Sequence, residues 1–394
     1  MNAAVYLKKG KEGSLQRKHP WVFSGAVQSV TPGVQTGQIV DVIAQGGFLM
    51  GRGHYQPGGS IVVRMLTFTD EIVNSAFWTS ALQKAHRYRT DLGIMSDGMT
   101  NAYRLVHGEG DNLPGLIIDI YNNIAVLQCH SVGMYLQRNE IAKALNEILP
   151  VPELSVYCKS KDTLPSIPGF TWTDGFLLGD AKETVIREYG NKFIVNVEEG
   201  QKTGFFLDQR ENRLLVSEHA KNKSVLNTFC YTGGFSVYAL KAGASRVDSV
   251  DISGKAMVLT EKNIILNDGD NYHSGHVENV IPFLQNPAIP QYDVVIVDPP
   301  AFAKSLAKRH NAVQAYKRLN VSALAKVKNG GLLFTFSCSQ VVTTQLFYDT
   351  IVAAGLEADR SIKVVRHLSQ GGDHPVNLFH PEGHYLKGLM LYVD

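Results

Sequence analysis

Two short stretches of this sequence place a chemically active side chain directly after an apolar run that is typical of a buried strand. Asp298 follows Val294–Val297 and begins the motif Asp-Pro-Pro, while Cys338 follows the run Gly331–Phe336. If both strands belong to one parallel sheet, their carboxyl ends meet at the crevice where α/β proteins bind ligands. A thiolate is a nucleophile, and a carboxylate can hold or donate a proton. This pair of residues therefore suggests covalent catalysis, although a buried, inert thiol is the alternative for Cys338 taken alone.

A third motif has the pattern of a nucleoside-binding turn. The segment 225–236 predicts a strand, a turn that contains Gly233 and Gly234, and the start of a helix. Asp251 ends the next predicted strand, where a carboxylate can accept hydrogen bonds from both ribose hydroxyls. The glycine spacing departs from G-x-G-x-x-G, so S-adenosylmethionine fits better than a dinucleotide. Glu278, after a further strand, is a candidate contact for the adenine amino group, with a surface acid as the alternative.

Composition limits the class of protein. The chain has 394 residues, 44% hydrophobic and 19% charged, as expected for a soluble globular protein of two or three domains. It contains no apolar stretch of the roughly 20 residues that a membrane span needs and no secretory leader pattern. Its four cysteines show no metal-type spacing. We therefore expect free thiols in a reducing cytoplasm, no bound metal and no membrane partner.

Positive charge is concentrated in two segments, although the net charge is only +2. Residues 1–25 contain five Lys or Arg and one Glu, and residues 304–328 contain seven Lys or Arg and no acid. Such segments could bind a polyanion, although charge runs are more often solvated helix faces. The residues we expect to contact a nucleic-acid backbone are Lys8, Lys18 and Lys304.

The pattern of predicted elements suggests three domains. Residues 1–72 contain short strands separated by glycine turns and predict a small β-barrel, and residues 73–190 predict a mixed α/β unit. Residues 191–394 alternate apolar strands with helices, which predicts a doubly wound, mainly parallel sheet.

Several motifs together resemble one enzyme family. Segments 201–210, 227–234 and 335–339, with Asp251 and Asp298-Pro299-Pro300, resemble class I S-adenosylmethionine-dependent methyltransferases. They are most similar to the bacterial 23S ribosomal RNA cytosine-C5 methyltransferases that begin with a PUA domain. Segments 19–27, 373–376, 381–383 and 385–388 resemble the opening and closing segments of that family. The resemblance implies a PUA barrel, a central α/β domain and a Rossmann-like methyltransferase domain.

The resemblance also implies roles for individual residues. Cys338 would be the nucleophile, and Asp298 would hold or protonate the base while also bordering the cofactor. Pro299 and Phe302 would contact the base, the phenyl ring by stacking. The residues that the resemblance assigns to S-adenosylmethionine are Phe206, Asp208, Gln209, Arg210, Asn227, Phe229, Tyr231, Thr232, Gly233, Gly234, Asp251, Glu278 and Asp298.

One departure from the family's motif and several alternative functions leave this interpretation open. Other RNA cytosine-C5 methyltransferases have a cysteine after the Asp-Pro-Pro motif, where this chain has Ala301, so a two-cysteine release mechanism is in doubt. Exocyclic-amine methylation, an RNA-binding assembly factor without catalysis and a nicotinamide dehydrogenase are the alternative functions. Naked 23S ribosomal RNA and a pre-ribosomal particle both remain as substrates, and a homodimer is left open.

Overall fold

The computed structural model describes residues 3–95, 98–303 and 305–394. Contacts divide them into two compact units. Unit 1 contains the described residues up to Arg187 together with Val195–Leu207 and Gly372–Gly383. Unit 2 contains Glu188–Ile194, Asp208–Gly371 and His384–Asp394. The three-domain boundaries at residues 72 and 190 stay a prediction.

The first part of unit 1 is a six-stranded, largely antiparallel sheet with a short helix, α1 (Gly13–Gln16). Its strand order is β2-β6-β5-β4-β1-β3, in which only the β1–β4 pair is parallel. Alternate apolar side chains such as Val40, Val42 and Val63 form its core. The strands are β1 (Ala4–Leu7), β2 (Trp21–Phe23), β3 (Val27–Val30), β4 (Ile39–Ile43), β5 (Leu49–Tyr55) and β6 (Ile61–Thr67).

The second part of unit 1 is a five-stranded mixed sheet with the order β11-β10-β9-β8-β7. Arg104 pairs with the fully buried Asp119, which also accepts a hydrogen bond of 2.6 Å from the Thr203 hydroxyl, so the buried carboxylate is well compensated. The elements are α2 (Ser75–Asp91), β7 (Ala102–His107), β8 (Leu116–Tyr121), β9 (Ile124–Cys129), α3 (Val132–Leu136), α4 (Arg138–Ile148), β10 (Ser155–Cys158) and β11 (Gly175–Leu178).

A two-stranded hairpin, β12 (Glu183–Glu188) and β13 (Asn191–Asn196), precedes the large sheet of unit 2. That sheet has seven strands in the order β16-β15-β14-β17-β18-β20-β19. The first four pairings are parallel, whereas β20 is antiparallel to both of its neighbours. The strands are β14 (Ser224–Thr228), β15 (Arg246–Asp251), β16 (His273–Val277), β17 (Tyr292–Val297), β18 (Val327–Ser337), β19 (Ile362–Ser369) and β20 (Lys387–Val393).

Helices pack on both faces of the large sheet, so its central strands are apolar on both sides. Side-chain caps define several helix starts; for example, Ser253 accepts from the Ala256 amide and Thr343 from the Leu346 amide. The helices are α5 (Arg210–Glu218), α6 (Gly234–Lys241), α7 (Gly254–Ile265), α8 (Val280–Gln285), α9 (Arg309–Leu324) and α10 (Thr344–Glu357). The predicted doubly wound, mainly parallel sheet is confirmed, and it carries the antiparallel pair β19–β20 in addition. Within the three described ranges, no helix is both long and apolar enough to cross a membrane.

Candidate active site

Cys338 and Asp298 lie just beyond the carboxyl ends of adjacent parallel strands. Val297 of β17 pairs with Thr335 of β18, so Asp298 and Cys338 begin the loops that leave the same edge of the sheet. We call residues 298–303 the Asp-Pro-Pro loop and residues 338–342 the thiol loop. The Ser339 hydroxyl donates a hydrogen bond of 2.7 Å to the Ala303 carbonyl, and this bond joins the two loops. The thiol and the carboxylate that the sequence singled out therefore occupy neighbouring loops.

Tyr316 of α9 is a buried side chain whose pKa is affected by both of these groups. Burial raises the pKa of Tyr316 to about 12, and the charges of Cys338 and Asp298 act in the same direction. Such interactions fall off with distance, so the two groups lie around one hydroxyl. The Phe302 ring packs on Tyr316 with 4.7 Å between ring centroids and is only half-buried. Phe302 therefore keeps an exposed face, and Pro299 beside it is buried.

The turn after β14, residues 228–234, is here called the cofactor turn, and its backbone is strained. Phe229 and Tyr231 have φ values of 56° and 48°, in the left-handed region that non-glycine residues rarely adopt. Gly233 has a φ of 75° and touches α7 so closely that an added Cβ would lie 2.7 Å from Thr260 Cγ2. Strain of this kind persists only where the surroundings hold it, and it is concentrated at binding sites.

Helix α7 supplies the groups that hold the cofactor turn. The Thr260 hydroxyl donates to the Tyr231 carbonyl at 2.8 Å, and Asn263 Nδ2 donates to the Thr232 carbonyl at 2.9 Å. Both donors are neutral, and both side chains are buried. Gly234 begins α6, so the amide groups at that helix start face the turn. The turn therefore presents a preformed backbone to a ligand.

Asp251 is oriented toward the same turn by backbone donors. Its Oδ2 accepts from the Tyr231 amide at 3.0 Å and its Oδ1 from the Ser253 amide at 2.9 Å. Each carboxylate oxygen has a second lone pair, so these bonds leave capacity for two ribose hydroxyls. Glu278 lies at the adjacent strand end, where its amide donates to the Asp251 carbonyl, and its side chain is exposed.

Asn227 adds a buried polar atom under the turn. Its Nδ2 donates to Ser236 Oγ at 2.8 Å, whereas its Oδ1 is buried and has no hydrogen-bond partner within the described residues. Such an acceptor normally needs a partner. The strained turn, the oriented carboxylate of Asp251 and this acceptor together fit an adenosyl ligand with an amino group.

The predicted cofactor residues of segment 206–210 are divided between the units. Phe206 is in unit 1, where the Lys202 ammonium lies 4.7 Å from its ring centroid. Asp208, Gln209 and Arg210 are buried in unit 2 at the start of α5. Asp208 accepts a hydrogen bond of 2.5 Å from the Tyr385 hydroxyl, and Gln209 accepts one of 2.6 Å from Asn212. Their contacts to a cofactor stay a prediction.

The basic segment 304–328 is less available to a polyanion than its sequence suggests. Lys326 is buried, Lys328 pairs with Asp293 at 2.9 Å, and Lys317 pairs with Glu357 at 2.6 Å. Three cations of this segment therefore serve the fold, and the contact of the segment with a polyanion stays a prediction. The exposed cations here are Lys308, Arg309 and Arg318, and Lys304 lies outside the described residues.

The N-terminal cations Lys8 and Lys18 are exposed. Lys8 donates to the Gly25 carbonyl at 3.2 Å, and the Lys18 ammonium lies 5.0 Å from the Phe68 ring centroid. Both residues are on the six-stranded sheet domain of unit 1, and their contact with RNA stays a prediction.

The remaining thiols differ from Cys338 in exposure. Cys129, Cys158 and Cys230 are buried, whereas Cys338 is partly exposed. Burial, followed by the charge of Asp251, raises the pKa of Cys230 to about 12, so this thiol stays protonated and serves as packing. Cys338 is therefore the thiol that a ligand can reach.

One group of side chains in the described part of the chain has metal-ligand chemistry. His19, His380 and Glu382 of unit 1 place ligand atoms within 4.8 Å of one another. However, the Trp21 amide donates to His19 Nδ1 at 3.2 Å, so the neutral ring carries its proton on Nε2, the atom that faces Glu382. In that tautomer Nε2 has no free lone pair, so ligation of a metal by Nε2 would require the Trp21 hydrogen bond to be given up.

Four residues that position the site were missed from the sequence. Thr260, Asn263 and Tyr316 lie on helices far along the chain, and only folding brings them to the turn and the loops. Lys387, on the returning strand β20, donates to two carbonyls of the thiol loop. Its motif, Tyr-Leu-Lys-Gly, was a family signal without an assigned role.

Comparison with known proteins identifies the class first. Residues 171–375 match the family model of S-adenosylmethionine-dependent methyltransferases, and residues 5–68 match the PUA-like domain. The fold agrees with the solved structure of a proposed S-adenosylmethionine-dependent methyltransferase from Streptococcus mutans, at a TM-score of 0.83 and 23% identity over 99% of both chains. This likeness supports the fold alone, and the methyltransferase class and its cofactor rest on the family model.

Curated relatives then narrow the class. The chain is 39% identical over 398 residues, covering 100% of both chains, to "Ribosomal RNA large subunit methyltransferase I" of Pseudoalteromonas atlantica. It is 38% identical over 395 residues, covering 99% of both chains, to the protein of the same name in Escherichia coli. The chain therefore belongs to this family of S-adenosylmethionine-dependent methyltransferases.

Proposed function

We propose that this enzyme methylates C5 of a cytosine in 23S ribosomal RNA through a covalent bond between Cys338 and C6 of the base. The relatives' names indicate large-subunit ribosomal RNA as the substrate. The observation that carries the finer proposal is the hydrogen bond from Ser339 to the Ala303 carbonyl, which holds the thiol loop against the Asp-Pro-Pro loop. A nucleophile and a proton-holding group on joined loops are what carbon methylation of a pyrimidine requires.

The chemistry explains why a thiol is needed. C5 of cytosine is a poor nucleophile until the Cys338 thiolate adds to C6, which moves electron density to C5. S-adenosylmethionine supplies the electrophilic methyl group that C5 then takes, with cleavage of the sulfonium–methyl bond. A base removes the C5 proton, the bond between Cys338 and C6 breaks, and the thiolate is restored. The residue that acts as this base is not assigned.

Asp298 and its loop would hold the base during these steps. The carboxyl group of Asp298 would hold or protonate N3 and offset the charge that develops in the ring, which requires a raised pKa. The half-exposed Phe302 ring offers a face for stacking, and the buried Pro299 stiffens the loop because proline lacks an amide N–H. A base in this position must be unstacked or flipped from its helix.

RNA binding would involve two parts of the chain. The PUA-like domain with Lys8 and Lys18, together with Lys304, which follows the Asp-Pro-Pro loop in the sequence, would contact the phosphate backbone. We also propose the division into three domains, with a central domain over residues 73–190.

Bacterial ribosomal RNA lies in the cytoplasm, so the enzyme would act there. The homodimer and the choice between naked RNA and a pre-ribosomal particle stay predictions.

Mapping of 5-methylcytosine in ribosomal RNA from cells with and without the gene tests the proposal. We expect one 23S cytosine to lose its methyl group in the deletion strain and to regain it with the wild-type gene but not with Cys338→Ala. Loss of an N-methylated base instead would favour exocyclic-amine methylation. If RNA binds but no methyl mark changes and the protein does not bind S-adenosylmethionine, the assembly-factor alternative is favoured.

A trapping experiment tests the covalent step directly. RNA that contains 5-fluorocytidine has no C5 proton to remove, so the adduct should persist after methyl transfer. We expect a protein–RNA adduct on the Cys338 peptide with the cofactor present, and no adduct with Cys338→Ser. An adduct on another cysteine would contradict the assignment.

A further inference from the structure

Lys387 is a buried cation whose position is determined by the sheet around it. It begins β20, the strand between β18 and β19, and it pairs directly with Ser337, the residue that precedes Cys338. Only 4% of the residue is exposed. Its Nζ donates to the carbonyls of Ser339 and Val342, each at 2.7 Å. Both carbonyls belong to the thiol loop and follow Cys338 in the chain, so the ammonium group holds the segment that leaves the nucleophile.

A second buried lysine shows that carbonyl contacts alone are ordinary in this fold. Lys326 is 7% exposed, and its Nζ donates to the carbonyls of Asn286 at 2.8 Å and Ile289 at 2.7 Å. Burial lowers the pKa of Lys326, and no thiol is among the causes of that shift. Lys387 has the same two-carbonyl arrangement and in addition a sulfur neighbour. The sulfur is therefore the feature that distinguishes Lys387.

The electrostatic coupling between Lys387 and Cys338 is reciprocal. Burial lowers the pKa of Lys387 to about 8, and the negative charge of Cys338 opposes that shift. If the thiolate favours the ammonium form, the ammonium form favours the thiolate by the same free energy. At pH 7 Lys387 is protonated in most molecules, so this effect acts at physiological pH.

Other titratable groups surround the pair. His367 of β19, Tyr348 of α10 and His384 line the same pocket of about 160 Å³ as Lys387. On the other side, Tyr316 of α9 and Asp298 lie near Cys338. When ionised, Asp298 would disfavour a negative charge at Cys338, and a positive group beside the sulfur would offset that effect.

We infer that Lys387 is a positioning residue that holds the thiol loop and supplies the positive charge that keeps the Cys338 sulfur in its thiolate form. This inference rests on the proposed role of Cys338 and adds how that nucleophile is activated. Low-pKa cysteines in other proteins are found beside Lys, Arg or His⁺ in partly exposed surroundings, and Cys338 is partly exposed.

The pH dependence of Cys338 alkylation tests the inference without RNA or cofactor. The full-length protein is treated with iodoacetamide from about pH 6 to about pH 10, and the Cys338 peptide is quantified by mass spectrometry. In Lys387→Met we expect the rate at pH 7 to fall about tenfold, as expected for a rise of about one unit in the thiol pKa. Lys326→Met removes the same kind of carbonyl contacts elsewhere and should leave the Cys338 profile unchanged. Coincident profiles for wild type and Lys387→Met, or equal shifts in both variants, would overturn the inference.

A measurement on the wild-type protein covers the case in which Lys387→Met does not fold. A cation beside the sulfur should make negatively charged iodoacetate react faster, relative to iodoacetamide, than it does with free cysteine. This ratio should fall as Lys387 loses its proton near pH 8, given the pKa of about 8. A ratio equal to that of free cysteine at every pH contradicts the inference. Neither readout depends on methyl transfer, so a failed cytosine assignment and a failed Lys387 assignment are distinguishable.

Discussion

The cofactor turn and the thiol loop lie at the same edge of one sheet, but different forces hold them. The cofactor turn is a strained backbone fixed by neutral donors, the Thr260 hydroxyl and the Asn263 amide. The thiol loop is fixed by the buried ammonium of Lys387 and the hydroxyl of Ser339. A neutral support can only shape its loop, whereas a charged support also changes the ionisation of its neighbours. Substitutions in the two loops should therefore separate cofactor binding from nucleophile chemistry.

Removal of the proposed nucleophile should give the largest effect. We expect Cys338→Ala to lower methyl transfer at least about a thousandfold, because the covalent route is lost, while affinity for S-adenosylmethionine stays near that of wild type. Methyl transfer is measured in single-turnover assays and affinity by calorimetry. Cys158→Ala, a buried thiol of unit 1, serves as the control and should retain activity. Full activity in Cys338→Ala would eliminate the covalent mechanism.

Loss of the Asp251 carboxylate should act on binding instead. The Asp251→Ala change removes the proposed acceptor for two ribose hydroxyls, so we expect the dissociation constant of S-adenosylmethionine to rise about 10- to 100-fold. Alkylation of Cys338 should be unchanged. Glu261→Ala, at an exposed acid of α7, is the matched control. If Asp251→Ala changed thiol reactivity as much as affinity, the two loops would not be independent.

Two glycines near the turn offer a smaller, structural test. An added Cβ at Gly233 would lie 2.7 Å from Thr260 Cγ2 at a φ of 75°, whereas at Gly254 it would meet nothing within 4 Å. We expect Gly233→Ala to destabilise unit 2 by about 1–3 kcal/mol and to weaken cofactor binding. Gly254→Ala should leave both properties unchanged. Hydrogen exchange of α6 and α7, with calorimetry, measures both, and equal behaviour of the two variants would refute the strain argument.

Local patterns in the sequence identified most of the sheet and predicted the chemical groups of the candidate site. Apolar runs predicted β14, β15, β17 and β18, and strand-end positions singled out Asp251, Asp298 and Cys338, because parallel strands read as continuous apolar segments. The residues that hold these groups in position could not be predicted in the same way. Lys387 reaches Cys338 only because β20 returns antiparallel to β18, and that pairing leaves no mark in either segment alone. Likewise, only the fold shows that Lys326 of the basic segment points into the interior.

The smallest effect is expected at the opposite edge of the sheet. There a charged group supports the fold, but the proposed nucleophile does not lie beside it. Asp293, at the start of β17, is desolvated by burial, which raises its pKa, but hydrogen bonds from the Ser224 hydroxyl and amide and from Lys328 outweigh this and hold the pKa at about 2. A lowered folded-state pKa stabilises the protein above the ordinary value of about 4, and that contribution is lost as pH falls from about 4 to about 2. Because the carboxylate is partly exposed and screened, we expect only about 1 kcal/mol.

Wild type and Asp293→Asn are compared by measuring hydrogen exchange of the backbone amides in β14 and β17. The difference in opening free energy between the two proteins should be constant above about pH 4 and should shrink below it. Cys338 alkylation should be the same in both proteins, since this charge lies at the other end of the strands. A change in thiol reactivity in Asp293→Asn would mean that Cys338 responds to the net charge of the whole unit. In that case the effect of Lys387 could not be assigned to its place beside the sulfur. The contrast between the neutral donors that only shape the cofactor turn and the charged lysine that also activates the thiol would then be lost.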